Sequence, residues 1–242
     1  RMEGIAEPGT IAISGSTEKL VRDFFVLKPL GEFTIKGKRR PQNAYQLIKS
    51  GEVETRIHAS VVKGLTRFVG RKELMNTLFH TFAKAEKGAG QIVGIVGDAG
   101  VGKSRLLIEM KNAFSQYDYE FVEGQCLQYG GSMLYLPVLD ILRSLFEIKE
   151  DDNEFTVKQK IRDLITGLGQ HFQKTIPAFQ EILSLKVDDN DFLVLEPKEK
   201  RGRLFEAIRD LMIRISQNKP LIVAIEDLHW IDKASEEFIN YF

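Results

Sequence analysis

The sequence predicts an α/β protein built around a parallel β-sheet. From residue 68 onwards, short runs rich in β-branched residues alternate with longer helical patterns. A glycine-rich loop joins one of these runs to a helix, and a later run ends in two adjacent acids. Strands that alternate with helices favour a parallel sheet, because each helical crossover returns the chain to the same end of the sheet.

The composition is that of an ordinary globular chain. Of 242 residues, 43% are hydrophobic and 28% charged, enough for one large domain or two modest ones. Lysine plus arginine and aspartate plus glutamate number 34 each, so no overall field favours nucleic acid or an anionic membrane as a partner. Cys126 is the single cysteine and excludes an internal disulfide. Without a secretory signal or an apolar run of about 20 residues, we expect a cytoplasmic location.

The amino-terminal part reads as rich in strands. The predicted strands are Thr10–Ser14, Phe24–Leu30, Glu32–Ile35 and Asn43–Ile48, with helical turns over Thr17–Asp23. Fewer than 50 residues seldom bury a core of their own. We therefore expect residues 1–48 to need a part that precedes Arg1, and the chain to be an internal piece of a longer protein.

Residues 49–67 are polar with no clear period and are predicted to be a linker to a second domain, residues 68–242. Leu74, Leu78 and Phe82 recur at helical spacing. The predicted helices are Lys72–Lys87, Lys103–Tyr117, Leu136–Phe146 and Lys198–Gln217, with a mostly helical stretch over Asp151–Asp191. The predicted strands are Gln91–Val96, Tyr119–Cys126 and Leu221–Ile225.

The glycine-rich loop fits the P-loop pattern G-x-x-x-x-G-K-[ST]. Its residues are Gly97, Asp98, Ala99, Gly100, Val101, Gly102, Lys103 and Ser104, followed by Arg105. Glycines let backbone N–H groups converge on phosphate oxygens, and the following helix adds the positive end of its dipole. We expect Lys103 to reach the β- and γ-phosphates of a nucleotide and Ser104 to ligate Mg²⁺. A chance glycine-rich turn is the alternative, but the strand before the loop and the helix after it argue against that.

The strand Leu221–Ile225 ends in Glu226 and Asp227. A magnesium–nucleotide site needs carboxylate oxygen near the metal and a group that orients the attacking water. We assign metal binding to this pair together with Ser104. We assign catalysis to the pair together with Lys103. The division of the two roles stays open, because the metal ligand in P-loop enzymes is usually aspartate and the first acid here is glutamate. A strand that merely ends in a polar turn is the alternative.

Three blocks together resemble the AAA-like ATPase module of signal-transduction ATPases. They are Phe68-Val69-Gly70-Arg71-Lys72-Glu73-Leu74, the P-loop, and Glu226-Asp227-Leu228-His229-Trp230-Ile231-Asp232. The resemblance implies that Val69, Gly70 and Arg71 lie near the adenine of bound ATP, although Arg71 could also be a solvated arginine at a helix start. His229 and Trp230 are expected to be structural.

The amino-terminal part resembles the end of a class III nucleotidyl cyclase domain, an α+β fold. Arg1-Met2-Glu3, Ala6-Glu7-Pro8-Gly9-Thr10-Ile11 and the segment Leu30–Lys38 carry this resemblance. It implies that Arg1 stabilises a transition state and that Lys36 contacts phosphate. The family's metal-binding aspartates are not among these residues, so this chain alone is expected to make no cyclic nucleotide.

Two functions remain open for the chain itself. It could be an ATP-hydrolysing signalling switch, or a scaffold that binds nucleotide without hydrolysis and recruits partners. The acidic pair favours the switch, because binding alone does not require it. The resemblances imply a parent that makes cyclic nucleotide from ATP or GTP. Its upstream cyclase half and downstream regulatory domains would then be the partners of this chain.

Overall fold

A computed structural model describes residues 3–34, 41–51, 64–128 and 134–242. The chain divides into two compact units. The first comprises Arg1–Lys72 with Gly97–Glu109, and the second comprises Glu73–Val96 with Met110–Phe242. In the part of the chain described, each unit contains one β-sheet.

The first unit contains a three-stranded antiparallel sheet in the order β1-β3-β2. Its elements are β1 (Ile11–Ser14), α1 (Gly15–Val21), β2 (Phe25–Phe33) and β3 (Gln42–Ser50). A short 3₁₀ turn, Glu3–Ile5, precedes them. Ser14 ends β1 and caps α1, because its side chain accepts a hydrogen bond from the backbone N–H of Thr17.

Two details differ from the sequence prediction. The two strands predicted over residues 24–35 form the single strand β2, whose register shifts between Pro29 and Gly31. Pro29 has no N–H to donate and Gly31 has a φ of 104°, so the irregularity falls where the backbone chemistry requires it. Strand β3 continues to Ser50, two residues beyond its predicted end at Ile48 and into the predicted linker.

The second unit is mainly helical. The long helices are α2 (Lys72–Ala85), α3 (Lys103–Phe114), α4 (Leu136–Leu145), α5 (Glu154–Leu168) and α8 (Pro197–Ser216). Shorter ones are α6 (Ile176–Ile182), α7 (Asn190–Leu193) and α9 (Lys233–Tyr241), with 3₁₀ turns at Gln170–Thr175 and Leu228–Trp230. The first residue of helix α2 and residues 103–109 of helix α3 belong to the first unit, and the rest of both helices belongs to the second. Among the described residues, no helix is both long and apolar enough to span a membrane.

Strands β4 (Glu120–Gln125) and β5 (Leu221–Glu226) pair in parallel from Glu120 opposite Leu221 to Gln125 opposite Glu226. The core of the second unit includes fully buried side chains from β4 and from helices α4, α5, α6 and α8. Among them are Val122, Leu142, Ile161, Ile165, Phe179, Ile208 and Leu211. Gly124 is required at its position, because a Cβ there would lie 2.3 Å from the carbonyl oxygen of Pro137.

An aromatic cluster joins α2 to the carboxyl-terminal end of α3. Its members are Phe79, Phe82, Phe114, Tyr117 and Tyr119, with ring centroids 4.7–6.2 Å apart. Rings at such spacings add pairwise attraction to the area that they bury. The contact therefore stabilises the end of α3 that lies away from the glycine-rich loop.

The predicted strand Gln91–Val96 does not form, and this prediction is wrong. The segment has no regular secondary structure, and Ile92 and Val96 are fully exposed, at 102% and 97%. A β-strand needs a neighbouring strand to accept its backbone hydrogen bonds. In the part of the chain that the structure describes, β4 and β5 pair only with each other, so this run has no strand partner.

Candidate nucleotide site

The glycine-rich loop has the backbone conformation that its sequence requires. Gly100 and Gly102 have φ values of 79° and 90°, in the region that residues with a Cβ rarely adopt. A Cβ at Gly97 would lie 3.0 Å from the Cγ2 atom of Val101. The loop therefore needs glycine at Gly100 and Gly102 for their φ values, and it is tightly packed at Gly97.

The loop leads directly into helix α3, whose first residue is Lys103. The first helical hydrogen bond runs from the N–H of Leu106 to the carbonyl oxygen of Gly102, at 3.0 Å. Ser104 lies in the first turn, which contains no acidic residue. The positive end of the helix dipole is therefore not neutralised by an acid of its own first turn, which suits an anionic ligand.

The Lys103 side chain is bound to the loop itself. Its Nζ atom donates to the carbonyl oxygens of Gly97 and Asp98, at 3.0 and 3.1 Å. The peptide group is planar and trans, so a carbonyl held on one side directs the following N–H to the other side. Lys103 thus orients the first half of the loop, and its ammonium group lies beside the residues expected to hold phosphate.

Two arginines connect the loop with the segment that precedes α2. Arg71 donates from Nη1 to the carbonyl oxygen of Gly102 at 3.3 Å, and from Nη2 to that of Val101. Arg105 donates in the opposite direction, to the carbonyl oxygen of Thr66 at 2.6 Å, and also pairs with Glu109 at 2.7 Å. The two segments are therefore joined reciprocally within the first unit.

A cavity of about 250 Å³ lies between these segments. Its lining includes Phe68, Val69, Arg71, Val101 and Gly102. The guanidinium group of Arg105 lies 5.8 Å from the centroid of the Phe68 ring, within the range of a cation–π contact. Apolar side chains and arginine planes are surfaces on which an aromatic base can stack.

In the second unit, strand β5 ends at Glu226, and its carbonyl oxygen accepts the N–H of Cys126 at 3.1 Å. Asp227 follows in the left-handed conformation, with a φ of 56°. A non-glycine residue in this conformation costs about 1–3 kcal/mol and often marks a functional position. The backbone turns here into the 3₁₀ turn of His229 and Trp230, whose rings lie 4.3 Å apart.

A further acid organises the segment after this turn. Asp232 accepts hydrogen bonds from the N–H of Tyr135 at 3.1 Å, the N–H of Ser235 at 3.0 Å and the hydroxyl of Ser235 at 2.6 Å. Burial alone would raise the pKa of Asp232, but these hydrogen bonds hold it below its ordinary value. Asp232 therefore caps α9 and fixes the start of α4 as a charged group.

The thiol of Cys126 experiences the same acidic surroundings. Burial, followed by the charges of Asp232, Asp227 and Asp140, raises the pKa of Cys126 to about 11. Asp140 in turn accepts the N–H of Gln125 at 3.3 Å. The carboxyl end of β4 and β5 is thus a region of negative potential, which suits a cation and disfavours a thiolate.

Comparisons with known proteins decide the family. The family model of the AAA ATPase domain matches residues 67–242, more than half of the chain. The chain belongs to the AAA ATPase domain family. An uncharacterized protein of Rhizobium meliloti (strain 1021) is 24% identical over 243 residues, and the match covers 99% of this chain and 23% of that protein. No solved structure matches the chain.

Membership of the AAA ATPase domain family shows an α/β P-loop fold and indicates nucleotide binding. Val69 and Arg71 line the same cavity as Val101 and Gly102 of the P-loop in the first unit, whereas Gly70 does not line it. Glu226 and Asp227 belong to the second unit. Arg1 and Lys36, assigned by resemblance to a cyclase domain, lie outside the described residues.

Asp232 and Asp140 were not singled out from the sequence. For Asp232 a signal existed, since an aspartate three residues before Ser235 at the start of a helical pattern is typical of a helix cap. The contact of Asp140 with Gln125 joins residues 15 positions apart and left no local signal.

Proposed function

We propose that this chain binds ATP with Mg²⁺ at the P-loop and hydrolyses it, and that it serves as a nucleotide-dependent switch in a longer signalling protein. The observation that carries the proposal is the glycine cradle of Gly97–Gly102, which leads into the acid-free first turn of α3. This arrangement offers backbone N–H groups and a helix dipole to a polyphosphate. Family membership makes ATP the expected nucleotide.

In this proposal each loop residue has a defined task. N–H groups of the loop and of the first turn of α3 would donate to phosphate oxygens, and the Lys103 ammonium would exchange at least one of its loop carbonyls for a phosphate oxygen. Lysine suits this exchange because its charge is compact and its stem is flexible. The base would lie against Val69, Gly70 and Arg71, in the cavity lined by Phe68.

The residues also suit a magnesium ion, since the Ser104 hydroxyl and the Glu226 and Asp227 carboxylates are hard oxygen donors. When bound, the ion would neutralise charge on the phosphates of ATP. The acid that does not ligand the metal would orient a water molecule and accept its proton. We assign metal binding and this task to Glu226 and Asp227 as a pair, without dividing them between the two acids. Lys103 takes part in both phosphate binding and catalysis.

The finer proposal concerns the parent protein. The chain spans about a quarter of the length of its curated relative, so the activity of the whole protein is a proposal here. We infer that residues 1–48 are the end of a class III cyclase domain, with Arg1 and Lys36 in its site, 49–67 a linker and 68–242 the ATPase domain. ATP turnover would then regulate the synthesis of cyclic nucleotide from ATP or GTP in the cytoplasm, through neighbouring domains of the same chain.

The resemblance of residues 1–48 to the cyclase family supports this finer proposal, and cyclase assays test it. The present chain should form no cyclic AMP or cyclic GMP, whereas the full-length parent should form one of them. Cyclic nucleotide from the present chain alone, or none from the parent under any nucleotide condition, would contradict it.

The ATP site is tested by Lys103→Ala. The variant loses a charge-assisted contact worth about 1.5–3 kcal/mol, so its affinity for ATP should fall roughly ten- to a hundredfold. Lys111→Ala is the matched control, because Lys111 lies on the same helix and pairs with Glu123 at 3.3 Å. Equal dissociation constants for wild type and Lys103→Ala would overturn the site.

Hydrolysis is tested separately from binding. Phosphate release by the wild-type chain should require Mg²⁺ and should fall in Glu226→Gln and Asp227→Asn while ATP still binds. ATP binding without phosphate release, in this chain and in its parent, would instead support a nucleotide-binding scaffold that recruits partners.

A further inference from the structure

The contact between Arg71 and the P-loop has a geometry that a surface arginine does not need. The two Nη atoms of one guanidinium group donate to two successive carbonyl oxygens, those of Val101 and Gly102. A planar fork of donors can bridge two such acceptors at once, whereas a lysine ammonium would act as a single point charge. The match is between a planar guanidinium group and one particular backbone conformation of the loop.

These carbonyls determine where two N–H groups point. The carbonyl of Val101 shares its peptide group with the N–H of Gly102, and the carbonyl of Gly102 shares its peptide group with the N–H of Lys103. In a planar trans peptide, the C=O and the N–H point in opposite directions. Holding both oxygens on the Arg71 side therefore turns both N–H groups away from Arg71.

Apart from Arg71, helix α3 is what holds the loop backbone at this point. Gly102 has no Cβ to restrict its φ of 90°, and its carbonyl oxygen also begins α3 by accepting the N–H of Leu106 at 3.0 Å. Arg71 adds a second donor to an oxygen that has two lone pairs. The side chain thus stabilises the loop conformation that glycine alone would leave mobile.

Arg71 itself is held in place at some cost. Its φ of 58° lies in the left-handed region, which is unfavourable for a residue with a Cβ. The preceding residue, Gly70, has a φ of 79°. Arg105 secures the same segment from the other side by donating to the carbonyl oxygen of Thr66, so the unusual backbone is supported at two points.

We infer that Arg71 is a positioning residue that orients the Gly102 and Lys103 N–H groups of the P-loop for phosphate, and that its main role is not contact with the base. The inference rests on the proposed nucleotide function and deepens it. Removal of Arg71 should then weaken every ligand that carries a polyphosphate by the same factor, whether or not the ligand has a base or a third phosphate.

The test compares ATP, ADP and inorganic tripolyphosphate, each titrated against a fluorescent ATP analogue bound to the chain. For Arg71→Ala we expect a roughly tenfold loss of affinity for all three ligands. Arg71→Lys should recover part of this loss, and millimolar methylguanidinium should partly rescue Arg71→Ala but not wild type. Lys72→Ala is the matched control, because Lys72 is the adjacent exposed cation and, among the described residues, makes no hydrogen bond to the P-loop.

Three results would overturn the inference. Loss for ATP and ADP but not for tripolyphosphate would assign Arg71 to the base or sugar. Loss for ATP and tripolyphosphate but not for ADP would assign it to the third phosphate. Unchanged affinities for all three ligands would leave Arg71 without any part in binding.

A second measurement separates this inference from the proposed function. Without ligand, amide hydrogen exchange of the peptide that contains residues 97–103 should be faster in Arg71→Ala than in wild type, at an unchanged melting temperature. If wild type shows no binding that depends on Lys103, the nucleotide function fails. Unchanged exchange in Arg71→Ala would overturn the role of Arg71 in the loop even where nucleotide binding is confirmed.

Discussion

The P-loop and the carboxyl end of β5 are stabilised in different ways. The loop lies outside regular secondary structure, and cationic side chains hold its carbonyl oxygens. The strand end is part of a parallel ladder, and the carbonyl oxygen of Glu226 accepts the N–H of the buried residue Cys126. A loop that binds a polyanion must keep its N–H groups available, so the protein binds the carbonyls instead. A strand end that carries acids can rely on apolar packing and on fixed hydrogen bonds.

The largest effect on stability is expected in the apolar core of the second unit. Phe179→Ala should lower the free energy of unfolding of this unit by about 3–5 kcal/mol, because the ring is fully buried and its removal leaves a cavity. Urea unfolding followed by circular dichroism measures the change. Phe155→Ala is the control, since that ring is 77% exposed and its loss should cost less than about 0.5 kcal/mol. Similar losses for the two variants would show that the core is misassigned.

A substitution in the P-loop should lower the affinity for ATP and should hardly change the stability of the second unit. Gly102→Ala places a Cβ on a residue with a φ of 90°, which costs about 1–2 kcal/mol in the left-handed region. We expect about a tenfold loss of ATP affinity with little change in the unfolding of the second unit. Gly167→Ala is the matched control, because a Cβ there meets nothing within 4 Å and helix α5 should gain slightly from alanine. Wild-type affinity in Gly102→Ala would contradict the cradle.

The pH dependence of stability tests whether the hydrogen bonds to Asp232 favour its charged form. The pKa of Asp232 is lower in the folded chain than its ordinary value of 3.8, so its stabilising effect is present above that value and is lost as the pH falls through the folded pKa. Asn is also a good helix cap, so Asp232→Asn should keep the cap but lose, at pH 7, the stabilisation that the charged form adds. Its unfolding should depend less on pH below about 4.

The control for this measurement is Asp118→Asn, which removes the same charge from a side chain that is 92% exposed. Unfolding by urea between pH 2 and pH 7 would be compared for the three chains. A pH profile for Asp232→Asn that matches wild type would show that the hydrogen bonds from Tyr135 and Ser235 do not favour the charged form.

The sequence predicts local features better than those that depend on a distant partner. The helical spacing of Leu78 and Phe82 reports burial directly, and the predicted bounds of α2, β4 and β5 differ from the structure by only a few residues. The glycines of the P-loop also predict its backbone conformation, because a positive φ is a local requirement.

The failures have a shared physical cause. A β-branched run such as Gln91–Val96 indicates a strand only if another strand offers an edge, and no spacing within the run reports that edge. The bonds of Arg71 cross about 30 positions, so its fork on the loop could not be read from the segment around it. The family resemblance predicts that Arg71 lies near the adenine, but it does not predict which carbonyl oxygens Arg71 binds.

The smallest effect tests the negative potential around Cys126. At pH 8 a thiol with a pKa of about 11 contains about a hundredfold less thiolate than one with its ordinary value, and only the thiolate reacts readily. The side chain is also only 1% exposed. We therefore expect iodoacetamide to label the native chain very slowly at pH 8 and the urea-unfolded chain at the rate of a free thiol.

Asp140→Asn distinguishes charge from access. This variant removes one of the acids that raise the pKa of Cys126 while keeping nearly the same shape, so native labelling should become slightly faster at a given pH. Burial is the larger cause, and the increase should therefore be small. Labelling of the wild-type native chain at the unfolded rate would show that neither burial nor the acids protect the thiol. The carboxyl end of β4 would then be an open surface rather than a packed one.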